Sequence, residues 1–162
     1  MPRLRQMEAG YNPVHDRLVL FLHMDDLSEF RFWITRRYAK HLWQALLQIL
    51  EQDPNHEKLQ QEELKKVNEA FDQEQSVRKE TGAQQFTNRM QHTPLGAEPI
   101  LLARLQIKTE TGPYPVVCMH PPQGQGIEIA MNRMMILSLL RLLADGVEKA
   151  DWDLAQIGNQ VI

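Results

Sequence analysis

Two histidines, His23 and His120, each close a short apolar run, and a symmetric pair of imidazoles could hold a metal ion or an anion. A metal usually needs a third protein ligand, and nothing near either histidine has ligand spacing. Asp25 and Asp26 follow His23, whereas Pro121 and Pro122 follow His120, so only one of the two places has carboxylates beside it. Turn histidines with structural roles are the favoured expectation, and a metal-dependent enzyme built on His23 and His120 is the least favoured of three functional readings. No cofactor is expected.

Cys118 is the one cysteine and stands two residues before His120, on the same face of an extended strand. Histidine can stabilise a thiolate, which would make a nucleophile and base pair. Side chains two apart on a strand diverge, however, and a packed thiol is the favoured expectation. Arg36 and Arg37, with Arg133 in the corresponding place, fall in the first turn of expected helices, where the helix dipole disfavours cations by a few tenths of a kcal/mol. Guanidinium groups beside free N–H donors could bind an anion; pairing with Glu29 or another carboxylate is the plainer alternative. Arg31 and Trp33 share a strand face and could form a platform on which bases stack. Cover from a linker helix or a second subunit is favoured for that face. Met131, Met134 and Met135 read as core filling. No glycine-rich phosphate loop, paired catalytic carboxylates, GxSxG elbow or HExxH motif is present.

These residues sit on elements legible from hydrophobic period. Residues 17–23 read as a strand, Asp25, Asp26 and Ser28 as a turn, and 29–34 as a second strand of a hairpin. In that second strand Phe30, Phe32 and Ile34 share one face, and Glu29, Arg31 and Trp33 the other. Thr35 is the expected N-cap of a helix with Tyr38, Leu42, Ala45, Leu46 and Ile49 in its apolar stripe, ended by Asp53-Pro54. The same grammar recurs: a strand over 114–120, turn residues PPQGQG, a strand over 126–131, Asn132 as N-cap, and a very apolar helix from Arg133 to about Lys149. One further strand is expected before each hairpin, over 99–108 and around Arg3–Gln6.

Residues 17–50 lie without gaps on residues 114–147 at an offset of 97. Val19, His23, Arg36, Leu42 and Leu46 fall on Val116, His120, Arg133, Leu139 and Leu143. The expected fold is therefore α+β: two tandem β-β-β-α units, residues 1–52 and 98–162, in a pseudo-twofold relation within one domain. Their antiparallel sheets pair, and the two apolar helices pack on one side. Residues 53–97 form an insertion, with a polar helix over 56–80 and an irregular connection over 83–97.

Composition narrows the classes. Net charge is −3, which gives no global field for a polyanion or an acidic membrane. Residues 1–50 carry seven Lys/Arg against five Asp/Glu, so the first unit is mildly basic. A single cysteine excludes an intrachain disulfide and any Cys-based zinc site. No run reaches the ~20 apolar residues of a membrane span, and the first residues lack the apolar stretch of a signal peptide. A cytoplasmic setting without a membrane is expected.

The segment Asp16-Arg17, an apolar strand, a turn, then Glu29 to Phe32, Trp33, Ile34, Thr35, Arg36 and Arg37 resembles the signature of a group of small proteobacterial proteins. The likeness covers about a fifth of the chain. The group has no assigned activity, so the resemblance implies no function. Three expectations follow from the residues. The first is a non-enzymatic interaction or regulatory protein, a homodimer or the partner of another protein. The second is nucleic-acid or nucleotide-anion binding through Arg31, Trp33, Arg36, Arg37 and Arg133. The third is the histidine-pair enzyme.

Overall fold

The computed structural model describes residues 3–52 and 92–154. The helix expected over 56–80 and most of the connection expected over 83–97 lie outside the described residues. The architecture is α+β, with two open sheets and two helices among the described residues. Strands β1 (Leu4–Asn12), β2 (Arg17–Met24) and β3 (Glu29–Ile34) form an antiparallel meander. The two-residue strand β4 (Ile100–Leu101) adds to it in parallel beside β3. Strands β5 (Arg104–Lys108), β6 (Val116–His120) and β7 (Ile127–Ala130) make the second sheet. Helix α1 (Arg36–Glu51) follows β3, and helix α2 (Arg133–Ala150) follows β7.

Both helices start where a polar side chain satisfies an otherwise unpaired amide. Thr35 Oγ1 accepts from Tyr38 N at 3.2 Å, and Asn132 Oδ1 accepts from Met135 N at 2.9 Å. α1 buries Tyr38, Ala39, Leu42, Trp43, Leu46 and Leu50, a stripe at helical spacing. α2 is apolar over a wider arc and ends at Asp151, which takes the left-handed conformation (φ 55°) that lets Trp152 N donate back to Val147 O. No helix among the described residues is long and apolar enough to cross a membrane.

Alternation in β2 decides which way the first sheet faces. Leu18, Leu20, Leu22 and Met24 are buried, and Arg17, Val19, Phe21 and His23 are only partly so. Register carries this across the sheet: Phe32 pairs with Leu20 and Ile34 with Leu18, so these residues share the core side. α2 lies on that side against β1 and β2, while α1 reaches β5 and touches α2. Each helix thus approaches the sheet drawn from the other half of the chain, and one core contains residues of both halves. The approach is tight at Gly146 of α2, where a Cβ would stand 2.8 Å from Leu18 Cδ1.

Three expectations need correction. The strand expected over 99–108 is not one strand. It breaks at Leu102-Ala103, with β4 in one sheet and β5 in the other. Its apolar residues suit either sheet, and period alone does not say which. The crossing keeps its amides paired: Leu102 N donates to Trp33 O at 3.1 Å and Ala103 N to His120 O at 2.9 Å. Second, the two sheets are joined by this crossing segment and not by a shared ladder of paired strands. Third, the first strand runs well past Gln6, to Asn12. Residues Glu8, Ala9 and Gly10 are poor β-formers, but pairing with Phe21, Leu20 and Val19 holds them extended. Across from His23 stands Gln6, and across from His120 stands Arg104.

Candidate functional site

The side of the four-stranded sheet turned away from the helices is where the sequence-expected residues gather. Register places Gln6 beside His23 and Glu29, Glu8 beside Phe21 and Arg31, and Gly10 beside Val19 and Trp33. Leu101 of β4 continues the last row. Val19, Phe21, Arg31, Trp33 and Leu101 are all half-buried, and the ring of His15, from the β1–β2 turn, lies 5.2 Å from that of Trp33. The face is thus an apolar centre with polar ends.

At one end two carboxylates are buried on what is otherwise the outer face. Glu8 is 4% exposed and Glu29 3%. His23 lies between them, with Nε2 3.5 Å from Glu8 Oε2 and Nδ1 3.5 Å from Glu29 Oε1. Arg31 Nε donates to Glu29 Oε2 at 2.9 Å, its Nη2 lies at the same distance from that oxygen, and its Nη1 donates to Ala97 O at 2.8 Å. The guanidinium carbon is 5.9 Å from the centre of the Phe21 ring. Buried charge is tolerated only when paired; Arg31 supplies the pairing for Glu29 and ties β3 to the chain segment that returns at Ala97, while Gln6 Nε2 donates to Glu8 Oε1 at 3.4 Å. Glu29 N also donates to His92 O at 2.8 Å, which pins the returning chain at the edge of the sheet. Arg31 is therefore engaged within the protein, and Glu29, expected as a partner for the arginines of the first helical turn, pairs with Arg31 instead.

At the other end the first turn of α1 presents Arg36 and Arg37, both exposed. Thr35 already caps that helix. Arg36 is close enough to Asp16 to influence it. The Asp16 carboxyl is held below its ordinary range by hydrogen bonds from Tyr11 Oη and Trp152 Nε1, with a smaller contribution from Arg36. This carboxylate clamps the β1–β2 turn to the end of α2. Arg133 lies half-buried at the start of α2 and is not part of the same face.

The second sheet treats its histidine differently. His120 Nδ1 accepts from Gly126 N at 3.0 Å, so its proton sits on Nε2, 4.0 Å from Glu128 Oε1. Arg104 donates to Pro121 O at 2.8 Å and Gly124 O at 3.0 Å, clasping the same turn. His23 and His120 thus stand in different sheets with separate partners. Among the described residues no group of three or more His, Cys, Asp or Glu side chains is placed to hold a metal ion. Cys118 is fully buried beneath the Lys108–Glu128 ion pair, and burial pushes its thiol pKa up, with Glu128 adding to the shift. That is the opposite of the depressed value an activated nucleophile needs.

Glu8 escapes the sequence reading, because the strand carrying it is longer than its composition announces. The signal available is its period-two spacing with Gln6 and Gly10 once the strand is continued. Comparison with protein-family models, with curated proteins and with solved structures found no match.

Proposed function

We propose that this chain is a non-enzymatic interaction protein that binds a protein partner through the outer face of its four-stranded sheet, with self-association as the favoured mode. The observation that carries this is the composition of that face: Val19, Phe21, Trp33 and Leu101, half-buried, on the side opposite both described helices. An apolar centre with a polar rim and an aromatic anchor is the anatomy of a protein interface. Sedimentation equilibrium of the full chain tests it. A dimer that Trp33→Glu converts to monomer, with thermal stability kept, is expected. A wild-type chain that stays monomeric at high concentration and is indistinguishable from Trp33→Glu would sink the proposal.

We further propose that the two halves are copies of one β-β-β-α unit. The like order of elements, the matched caps Thr35 and Asn132, and the histidine kept near the end of the middle strand of each meander support this. At the offset of 97, Glu29 falls on Gly126. The corresponding histidines are thus held by a carboxylate in one half and by a backbone amide in the other.

A second reading, anion or single-stranded nucleic-acid binding, draws on exposed Arg36 and Arg37 next to Trp33. It predicts salt-sensitive binding lost in Arg36→Ala/Arg37→Ala, and no binding at low salt removes it. The engagement of Arg31 by Glu29, and the carboxylates on the same face, place it second.

A further inference from the structure

We infer that the solvent face of α1 docks a short acidic segment of a partner protein, whose carboxylates meet Arg36, Arg37, Lys40 and His41. This rests on the anion-binding reading of Arg36 and Arg37 above and specifies the anion. All four side chains are exposed, Gln44 and Gln48 continue the same face, and the helix holds no acid before Glu51. These cations stand where they cost stability. The helix dipole disfavours them in the first turn, and the like charges of Arg36 and Lys40, four apart, repel each other.

Neither cost is relieved within the chain. Among the described residues none of the four takes part in an ion pair, whereas Arg31, Lys108 and Lys149 each hold a carboxylate. Arg36 influences Asp16, but that carboxylate is already bonded by Tyr11 Oη and Trp152 Nε1. Thr35 Oγ1 takes the Tyr38 amide, so the side chains, and not the helix end, make this surface. A partner's carboxylates would relieve both costs at once, and each guanidinium can take one in a bidentate pair. The extent of the patch selects the kind of anion. From Arg36 to His41 it spans about 8 Å of the helix axis. Acids bound it on both sides: Glu51 at the far end of α1, and beyond the β1–β2 turn the exposed Asp151 and Asp153, which flank the Trp152 bonded to Asp16. The whole chain carries −3. A nucleic-acid strand would carry its phosphates past the patch and into these carboxylates, since it needs one sign along its whole track. A short run of Asp or Glu ends where the patch ends, and on a partner helix carboxylates four apart match the spacing of Arg36 with Lys40 and of Arg37 with His41.

Two labelled probes of like charge test this: a hexaglutamate peptide and a six-nucleotide thymidine oligonucleotide, each titrated with the full chain at low salt and followed by fluorescence anisotropy. The peptide is expected to bind more tightly than the oligonucleotide, and to weaken as salt is raised. Arg36→Glu/Arg37→Glu should weaken peptide binding by roughly tenfold or more. Arg3→Glu/Arg5→Glu makes the same change of net charge on exposed residues at the opposite end of the sheet, where Leu4 pairs with Met24, and should leave binding unchanged. Melting temperatures verify that each variant is folded. Tighter binding of the oligonucleotide, lost in Arg36→Glu/Arg37→Glu, would overturn the acidic segment and leave the anion-binding reading standing. Binding of neither probe at low salt, or equal weakening by the two double variants, would overturn both.

Discussion

The contact between Gly146 and Leu18 joins the helix of one half to the sheet of the other, and its removal or reinforcement has a calculable effect. An alanine Cβ at position 146 would lie 2.8 Å from Leu18 Cδ1, 3.0 Å from Cδ2 and 3.4 Å from Cγ. Leu18 is 1% exposed, so its methyl groups have no solvent to move into. Replacing glycine by alanine within a helix gains about 1 kcal/mol. Overpacking a filled core costs about 1–3 kcal/mol. The net expectation for Gly146→Ala is a loss of about 1 kcal/mol, or about 2–4 °C in Tm for a chain of this size. Leu18→Ala alone should cost about 2–5 kcal/mol, because it empties a fully buried site. In that background the obstruction is gone, and Gly146→Ala should become stabilising by about 1 kcal/mol. The sign of one substitution is thus reversed by another, with a coupling of about 1–3 kcal/mol. Urea unfolding followed by far-ultraviolet circular dichroism on the wild type, both single variants and the double variant measures it. If Gly146→Ala has the same effect in both backgrounds, α2 does not press on Leu18 and the crossed packing of helices on sheets is wrong.

Leu27 adopts a left-handed conformation (φ 69°) in the β2–β3 turn and is 46% exposed. Leu27→Gly should therefore stabilise the fold by about 0.5–1 kcal/mol, which a urea midpoint will register; a lower midpoint would show that its side chain contributes packing. The two glycines of the β6–β7 turn should respond unequally to alanine. A Cβ at Gly126 would collide with the backbone oxygen of Met119, whereas at Gly124 (φ +97°) nothing lies within 4 Å. Gly126→Ala should cost at least about 3 kcal/mol and Gly124→Ala about 1–2 kcal/mol; equal losses would mean the turn is built otherwise. Asp16 gives a pH prediction with a definite sign. Its carboxyl is depressed in the folded chain, chiefly by the Tyr11 hydroxyl and the Trp152 indole. Its contribution to stability is thus fully present above the unfolded-chain pKa and lost as pH falls through the lower folded value. Asp16→Asn should flatten the acid limb of the stability profile, and an unchanged limb would remove Asp16 from that role.

What the residues announce and what they conceal divide along physical lines. Hairpin β2–β3 is legible because its apolar residues alternate, and both helices because Thr35 and Asn132 each precede an apolar period. The corresponding turns are marked by Asp25, Asp26 and the PPQGQG segment. These are local signals. The extension of β1 through Glu8, Ala9 and Gly10 is hidden because its cause is a neighbour, β2, and not its own composition. For the same reason the break at Leu102-Ala103 is invisible: the segment satisfies two sheets in turn, and alternation carries no record of which ladder a strand joins. The Trp33 face can be foreseen from period two, but Glu29 pairs with Arg31 on its own strand and not with Arg36 or Arg37. The place of Glu8 beside His23 cannot, since it depends on a strand whose length its own residues do not declare. Nor does any local pattern say that α1 reaches β5 while α2 covers β1 and β2.

The most direct test of the interface is the reactivity of Trp33 toward hydroxyl radicals as protein concentration is raised. The chain has three tryptophans, and Trp43 and Trp152 are buried, so they serve as internal references. Mass spectrometry of the labelled chain gives each separately. Labelling of Trp33 should be high in dilute solution and fall relative to Trp43 and Trp152 as copies associate. Labelling of Trp33 that stays constant over the whole range would contradict the proposal that a second copy covers this face.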